Sequence, residues 1–490
     1  MSGDDDEDLQ AVKNRDDGDG NTSLILDRNW VLKLVQQGGE TSANASTTTP
    51  NIENDIHHRH RRHHHPSVRD KILATAPMIE QSDTAFRILT RRYGSNLCFT
   101  PMIHAYSFVK KASYRQKMFH FSNNDNNNTR SEDRPLIAQI AGSNKEVLLQ
   151  CAQMLEGSVD AIDVNLGCPT LTAKRGRYGA YLLGSGDYVF DIVKHLVDNI
   201  NHCPITCKVR LLPISRSRQK EEHHNLNSNT ETTEATTHKA HPGYDLQASV
   251  RLYKSLIDAG ARMLTIHGRT KDMKGEYSQA ADWDAIRAVV EELGHRVPIL
   301  ANGGLASYED VIRCLEYTNA DGVMSSEAIL EYPPSLYTYH RPTSIDDYIT
   351  TTTAKLPRTR PRPGPGRLGI AREYLELCRQ YPPSEGNGGT DMQCISMHML
   401  AFLHGEWASS SGDNRRDIND NRRNAHFDVD LVDDDILDDD ATMQSEIRNS
   451  KTVDDLIEVL NILEKRHERI NHKVEDETLS WYYRHWRPDN

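Results

Sequence analysis

The sequence predicts an α/β protein built on a (β/α)8 TIM barrel, with a disordered N-terminal tail over residues 1–70 and a C-terminal helical domain. Three observations carry this. Between residues 71 and 337, eight short apolar runs alternate with stretches of helical spacing, the pattern of a parallel α/β sheet and, at eight units, of a closed barrel. Those runs end in polar residues, as barrel strands do at the face that builds a site. Beyond residue 366 the strand pattern stops and helical spacing alone continues. A doubly wound open sheet is the alternative arrangement of the same units.

Taken in order, the strands are "ILATA" (72–76), "LCFTPM" (97–102), "PLIAQI" (135–140), "AIDVNL" (161–166), "ITCKVR" (205–210), "MLTIHG" (263–268), "PILANG" (298–303) and "GVMSS" (322–326). Helical spacing covers 83–93, 145–155, 188–200, 246–259, 283–293 and 307–317. Polar insertions at 123–133, at 215–239 and in the linker 338–366 read as surface loops, because they hold too little apolar surface to offset the entropy of ordering. The helical domain spans 367–490, with "RLGIAREYLELCRQY", "CISMHMLAFLHGEW" and "TVDDLIEVLNILEKRH" separated by an acidic disordered insertion near 411–450.

Composition narrows the function classes. The mean hydropathy of −0.68 and the lack of any long apolar run argue against a membrane span. The start "MSGDDDEDLQ" lacks the basic and apolar regions of a signal peptide, so a cytoplasmic or nuclear address is expected. Eight cysteines occur without a C-x-x-C pair, so neither a disulfide framework nor a metal site is expected. The net charge of −13 sits largely in "DDDED" and "DVDLVDDDILDDD", runs that read as solvated segments and leave nucleic-acid binding open. "HHRHRRHHH" (57–65) reads as part of the same kind of tail.

The strand ends carry the chemistry. Gly303 and Gly304, ahead of a helix starting near Ser307, can offer backbone N–H groups to a phosphate, and the loops after the last two strands are the usual phosphate site of this fold. Lys208 within an apolar strand needs a polar or anionic partner, such as a reduced cofactor ring. His267 and Arg269 add donors, and Gln139 and Asn165 add amides. Cys168, between Gly167 and Pro169 at a strand end, is poorly placed to be a core residue. Thiols are mostly protonated near neutral pH, so it can serve as a general acid. "GPGRLG" (364–369) matches a dinucleotide-binding spacing but follows a Pro- and Arg-rich loop instead of a strand.

Together, "APMIEQSDTAFRILTRRYGSNLCFTPMIHA", "PLIAQIAGSNKEV", "AIDVNLGCPTLTAKRGRYGAYLL", "CKVRLLP", "LTIHGRTKDMKG" and "ILANGGL…ADGVMSSEAIL" resemble the tRNA-dihydrouridine synthases, and most closely the subgroup acting at positions 16 and 17 of the D-loop. The resemblance covers residues 71–337 and departs from the subgroup at Ala328, where relatives often have glycine. It implies a barrel holding FMN, NADPH or NADH as reductant, tRNA as partner and a helical domain that helps grip it; a monomer is expected. By the same resemblance Pro77, Met78, Gln139, Lys208, His267, Asn302, Gly303, Gly304, Ser325 and Ser326 would bind FMN. Asn165, Lys174, Arg175 and Arg269 would contact the uridine or the tRNA. Hydride would pass from FMN to C6 of uracil and a proton from Cys168 to C5. Two other functions share this barrel: a small-molecule pyrimidine or ene reductase, and an RNA-binding scaffold without chemistry.

Overall fold

A computed structural model describes residues 29–36, 68, 70–119, 132–214, 243–273, 280–336, 366–382, 391–403 and 434–470. Its centre is a closed parallel barrel of β1 (Ile72–Thr75), β2 (Leu97–Phe99), β4 (Leu136–Ala141), β5 (Ala161–Leu166), β6 (Ile205–Leu211), β7 (Leu264–Thr270), β8 (Ile299–Asn302) and β9 (Gly322–Ser325). Each pairs with the next, and β9 returns to β1 with Ile72 opposite Gly322 and Thr75 opposite Ser325. A two-residue strand, β3 (Ile103–His104), extends the sheet beside Ile140 and Ala141. The strands are buried almost throughout, as expected where helices cover a parallel sheet from outside.

The expected second strand, 97–102, is strand only over Leu97–Phe99, and β3 begins beyond its end. Pro101 has no backbone N–H and interrupts the ladder. Thr100 compensates by accepting the Gln139 N–H on its Oγ1 at 3.1 Å.

The six expected helices fall within one residue of their predicted limits: α2 (Thr84–Arg92), α5 (Lys145–Leu155), α7 (Tyr188–Asn199), α8 (Leu246–Asp258), α9 (Trp283–Leu293) and α10 (Tyr308–Thr318). Their apolar faces pack on the strands. Asp83, Asn144, Asp245, Asp282 and Ser307 cap five of them by accepting a first-turn N–H, the usual remedy for unpaired donors at a helix start. Shorter helices, α3 (Ala105–Lys110), α4 (Ala112–Met118), α6 (Leu171–Gly176) and α11 (Glu327–Glu331), stand on the loops that follow strands.

Two segments expected to be disordered contain helix. Residues 30–36 form α1, with Val31 fully buried and Trp30 donating its indole N–H to the Arg262 carbonyl at 3.2 Å. The apolar run in "NWVLKLV" finds barrel surface to cover, which composition averaged over the tail conceals. In the acidic insertion, Asp434–Asn449 is helix α14, with Met443 and Ile447 buried. The rest of the tail to residue 67, the insertions 123–131, 215–239 and 338–365, and residues 411–433 lie outside the described residues.

Of the remaining helices, α12 (Arg367–Gln380) packs on α2, α13 (Met392–Phe402) on α11 and α12, and α15 (Val453–Ile470) on the outside of α12. His398 stacks on Phe86 at 4.6 Å between ring centroids, and the Tyr374 hydroxyl donates to Asp83 at 3.3 Å. Arg367 is buried, donating to the Phe402 carbonyl at 2.9 Å and pairing with Glu331 at 3.4 Å. Arg372 is engaged with Glu464 and Asn461. Neither of these two arginines offers its head group to a partner, whereas Arg358, Arg360 and Arg362 lie outside the described residues.

Candidate active site

The barrel interior is polar at its C-terminal end because inward positions recur every second residue along each strand. In β5 these are Asp163 and Asn165; in β6, Thr206, Lys208 and Arg210; in β7, Thr265, His267 and Arg269. Strand register aligns them in layers, with Gln139 opposite Asp163, Asn165 opposite Lys208, and His267 between Arg210 and Asn302.

One hydrogen-bonded chain runs through the layers. The N–H groups of Gly167 and Cys168 donate to Asn165 Oδ1 at 3.1 and 2.9 Å, and Asn165 Nδ2 donates to Gln139 Oε1 at 2.8 Å. Gln139 Nε2 then donates to Asp163 Oδ2 at 2.8 Å, while Thr206 donates to its other oxygen at 2.7 Å. Every donor points toward Asp163, so a carboxylate at the end fixes the orientation of both amides. Burial raises the Asp163 pKa to about 6, partly opposed by these hydrogen bonds and by Lys208. At neutral pH it is ionised.

Cys168 hangs from this chain. Its carbonyl accepts the Ala180 N–H at 3.0 Å, and Arg210 Nε binds the preceding carbonyl, that of Gly167, at 2.8 Å. Gly179 packs beneath, with φ +64°, where an added Cβ would lie 2.7 Å from the Cys168 oxygen. Only glycine fits there. The thiol lies 3.3 Å from the Thr170 hydroxyl, and Thr170 caps α6. Cys168 alone among the eight cysteines is not buried.

Opposite, Lys208 Nζ donates to Asn302 Oδ1 at 3.0 Å, and Asn302 is held through its Nδ2 by the Met324 carbonyl at 2.8 Å. Burial and then Arg210 lower the Lys208 pKa to about 8, and burial and Arg269 lower Arg210 to about 10. His267 is driven well below its ordinary value by burial and by the same three cations. It is therefore neutral and accepts from Arg269 through Nε2 at 3.3 Å. Three cations against two carboxylates, Asp163 and the exposed Glu327, make this mouth a receptor for an anion.

Gly303, at φ +101°, lies against the His267 ring, 2.9 Å from where its Cβ would be, and its carbonyl accepts the Trp283 indole N–H at 3.1 Å. Gly304 follows at φ +77°. This side-chain-free bend ends three residues before Ser307, which with Asp310 forms the capping box of α10, an arrangement suited to a phosphate. Ser325 ends the adjacent strand and is buried, and Ser326 follows it at the start of α11. Pro77 is partly exposed, and Met78 is held in a turn by Ser82.

The structure thus gathers Cys168, Asn165, Gln139, Lys208, His267, Arg269, Asn302, Gly303 and Gly304 at one mouth. Gln139 is only 1 % exposed, and both ends of its amide are engaged. Lys174 and Arg175 stand apart, exposed in the last turn of α6. Sequence reasoning missed Arg210 and Asp163, although each lies two residues from a residue it had selected, on the same strand face. It also missed Tyr178, His104 and Trp283, whose role depends on packing between distant loops.

Among the described residues no helix is long and apolar enough to cross a membrane, and no group of His, Cys, Asp and Glu could hold a metal ion.

A family model described as dihydrouridine synthase (Dus) matches residues 74–238 and 230–356. A tRNA-dihydrouridine(16/17) synthase NAD(P)(+)-like protein of Rattus norvegicus is 34% identical over 307 residues, covering 63% of this chain and 56% of that protein. The tRNA-dihydrouridine(16/17) synthase of Saccharomyces cerevisiae is 35% identical over 262 residues, 54% of this chain and 53% of that one. A human tRNA-dihydrouridine(20a/20b) synthase-like protein is 28% identical over 262 residues, 54% of this chain and 69% of that one. The chain spans about half the length of the first two relatives. Among solved structures, a 2-naphthoyl-CoA reductase complex is similar at 9% identity and a TM-score of 0.36, covering 54% of this chain and 48% of that one, too slight a likeness to bear on function.

Proposed function

The chain belongs to the dihydrouridine synthase family, and from that we propose that it reduces the C5–C6 double bond of uridine in tRNA, at D-loop positions 16 and 17. The reading makes FMN the bound cofactor and NADPH or NADH the reductant, and sets the reaction in the cytoplasm or nucleus. The observation that carries it is the pairing of Cys168 with an anion-receptive barrel mouth, built from Lys208, Arg210 and Arg269 around a neutral His267.

The residues present suit a flavin mononucleotide. The side-chain-free bend at Gly303 and Gly304, with Ser325 and Ser326 beside it, would take the phosphate. Lys208, His267 and Asn302 would line the ring, with Pro77 and Met78 at the neighbouring strand end. When bound, the flavin supplies hydride to C6 of the uracil.

The chain's own groups do the rest. Cys168 holds a proton on Sγ and delivers it to C5 as the S–H bond breaks. Asn165 fixes the height of that thiol through the Gly167 and Cys168 N–H groups. Arg210 clamps the same turn from the other side through the Gly167 carbonyl, and its charge favours the negative charge that builds on the uracil carbonyl. Lys174 and Arg175, exposed in the last turn of the helix that follows the Cys168 loop, suit the phosphates of an RNA strand whose target base must leave its stack to reach the mouth.

The test is to incubate the purified protein with FMN, NADPH and tRNA lacking dihydrouridine, then to map the product by mass spectrometry. Dihydrouridine at positions 16 and 17 is expected. Turnover of free uridine or another small enone, with none in tRNA, would contradict the assignment.

A further inference from the structure

His104 takes no part in the chemistry above, yet it is fixed at the same mouth. It ends β3 and caps α3: its Nδ1 accepts the Ser107 backbone N–H at 3.4 Å and lies 3.1 Å from the Ser107 hydroxyl. The His104 N–H itself donates to the Tyr114 hydroxyl at 3.1 Å. Burial and Lys111 lower the pKa of the imidazole, so the ring is neutral. With Nδ1 committed as an acceptor, the proton resides on Nε2. Nε2 has no hydrogen-bond partner among the described residues.

The ring stands edge-on to Tyr178, at 5.6 Å between centroids and 65° between planes. Tyr178 immediately precedes Gly179 and Ala180, the pair that packs on and binds the Cys168 carbonyl. One buried tyrosine therefore separates His104 from the Cys168 turn. Two residues beyond His104, Tyr106 is 55% exposed and so open to a partner. Lys110 and Lys111 are exposed just after it.

We propose that His104 and Tyr106 form an RNA contact that seats the target nucleotide beside Cys168: the Nε2–H of His104 donates to an oxygen of the RNA, and Tyr106 stacks on an unpaired base next to the target. The inference deepens the reading of the site as one for tRNA. A fixed donor, an exposed aromatic ring and adjacent cations are what single-stranded RNA, with its splayed bases and phosphates, can engage together. The acidic balance of the whole chain does not oppose this, since Lys110 and Lys111 stand exposed near the contact.

The test uses the full-length flavin-loaded protein. His104→Asn retains a good helix cap and removes the Nε2 donor; Tyr106→Ala alters an exposed side chain. Binding of tRNA lacking dihydrouridine is followed by fluorescence anisotropy, alongside kcat and KM for its reduction and the rate of flavin reduction by NADPH without RNA. Each variant should weaken tRNA binding and raise KM on the order of tenfold, with Tyr106→Phe near wild type and flavin reduction unchanged. Binding and KM within twofold of wild type in both variants would overturn the inference. Weakened binding in the variants of a protein that forms no dihydrouridine would instead leave the contact standing and remove the proposed activity.

Discussion

At the residue scale, the site is an arrangement of protons as much as of atoms. The donors of Cys168, Asn165 and Gln139 all run toward Asp163. Asp163→Asn would bring an N–H against Gln139 or Thr206, leaving a buried donor unpaired at a cost of about 1–3 kcal/mol. A melting temperature several degrees lower is expected, together with reduced activity, because Asn165 loses its support. Lys208 yields a pH prediction. Its folded pKa of about 8 lies below the ordinary 10.5, so between those values the native state has lost a proton that the unfolded chain keeps. The Lys208 contribution to stability therefore rises with pH across that window, against the opposite slope from buried groups such as Tyr253 and Cys151, and Lys208→Met should leave stability at pH 10.5 lower relative to pH 8 than in the wild type, read by urea titration. The proposed FMN would favour the charged lysine, so its affinity should fall as pH climbs through about 8 in the wild type and stay level in the variant. Lys208 and Cys168 were legible in the sequence because a charge in an apolar strand and a thiol at a strand end are both costly or odd without a purpose. Asp163 was not, since a buried carboxylate in "AIDVNL" shows its partners only when β4 and β6 are laid beside β5.

At the scale of elements, what was readable were the pieces whose reason lies within themselves. Helices such as Lys145–Leu155 and Trp283–Leu293 carry their own apolar stripe, and their limits follow from it. The six-residue α6 and α3 have no such stripe; they exist because their caps, Thr170 and His104, and the barrel beneath hold them. The helices at 30–36 and Asp434–Asn449 were hidden by polar surroundings, and each is justified by two or so side chains that bury elsewhere. Trp30→Ala should accordingly lower stability by about 3 kcal/mol, read as a lower midpoint in chemical denaturation, whereas a detached tail would leave it unchanged. Gly179→Ala tests the support under the thiol. A methyl 2.7 Å from the Cys168 oxygen forces the turn to move, and a shift of about 1 Å can cost on the order of 100-fold in rate. Single-turnover dihydrouridine formation should fall far more than the flavin content does.

At the scale of the molecule, the barrel closes a ring of strands so that side chains from β4 to β8 converge on one opening, and the helical domain packs beside α2 through Asp83, Phe86, Tyr374 and His398. The central claim is that this opening reduces uridine in tRNA with Cys168 as the acid. It is tested most directly by pre-reducing the flavin-loaded wild type and Cys168→Ala with NADPH, mixing each with tRNA lacking dihydrouridine, and timing dihydrouridine formation by mass spectrometry. The account predicts equal flavin content and equal reduction by NADPH, with dihydrouridine formation about 10²- to 10⁴-fold slower in the variant. Formation at the wild-type rate in Cys168→Ala, or none in a wild type whose flavin is fully reduced, would contradict it.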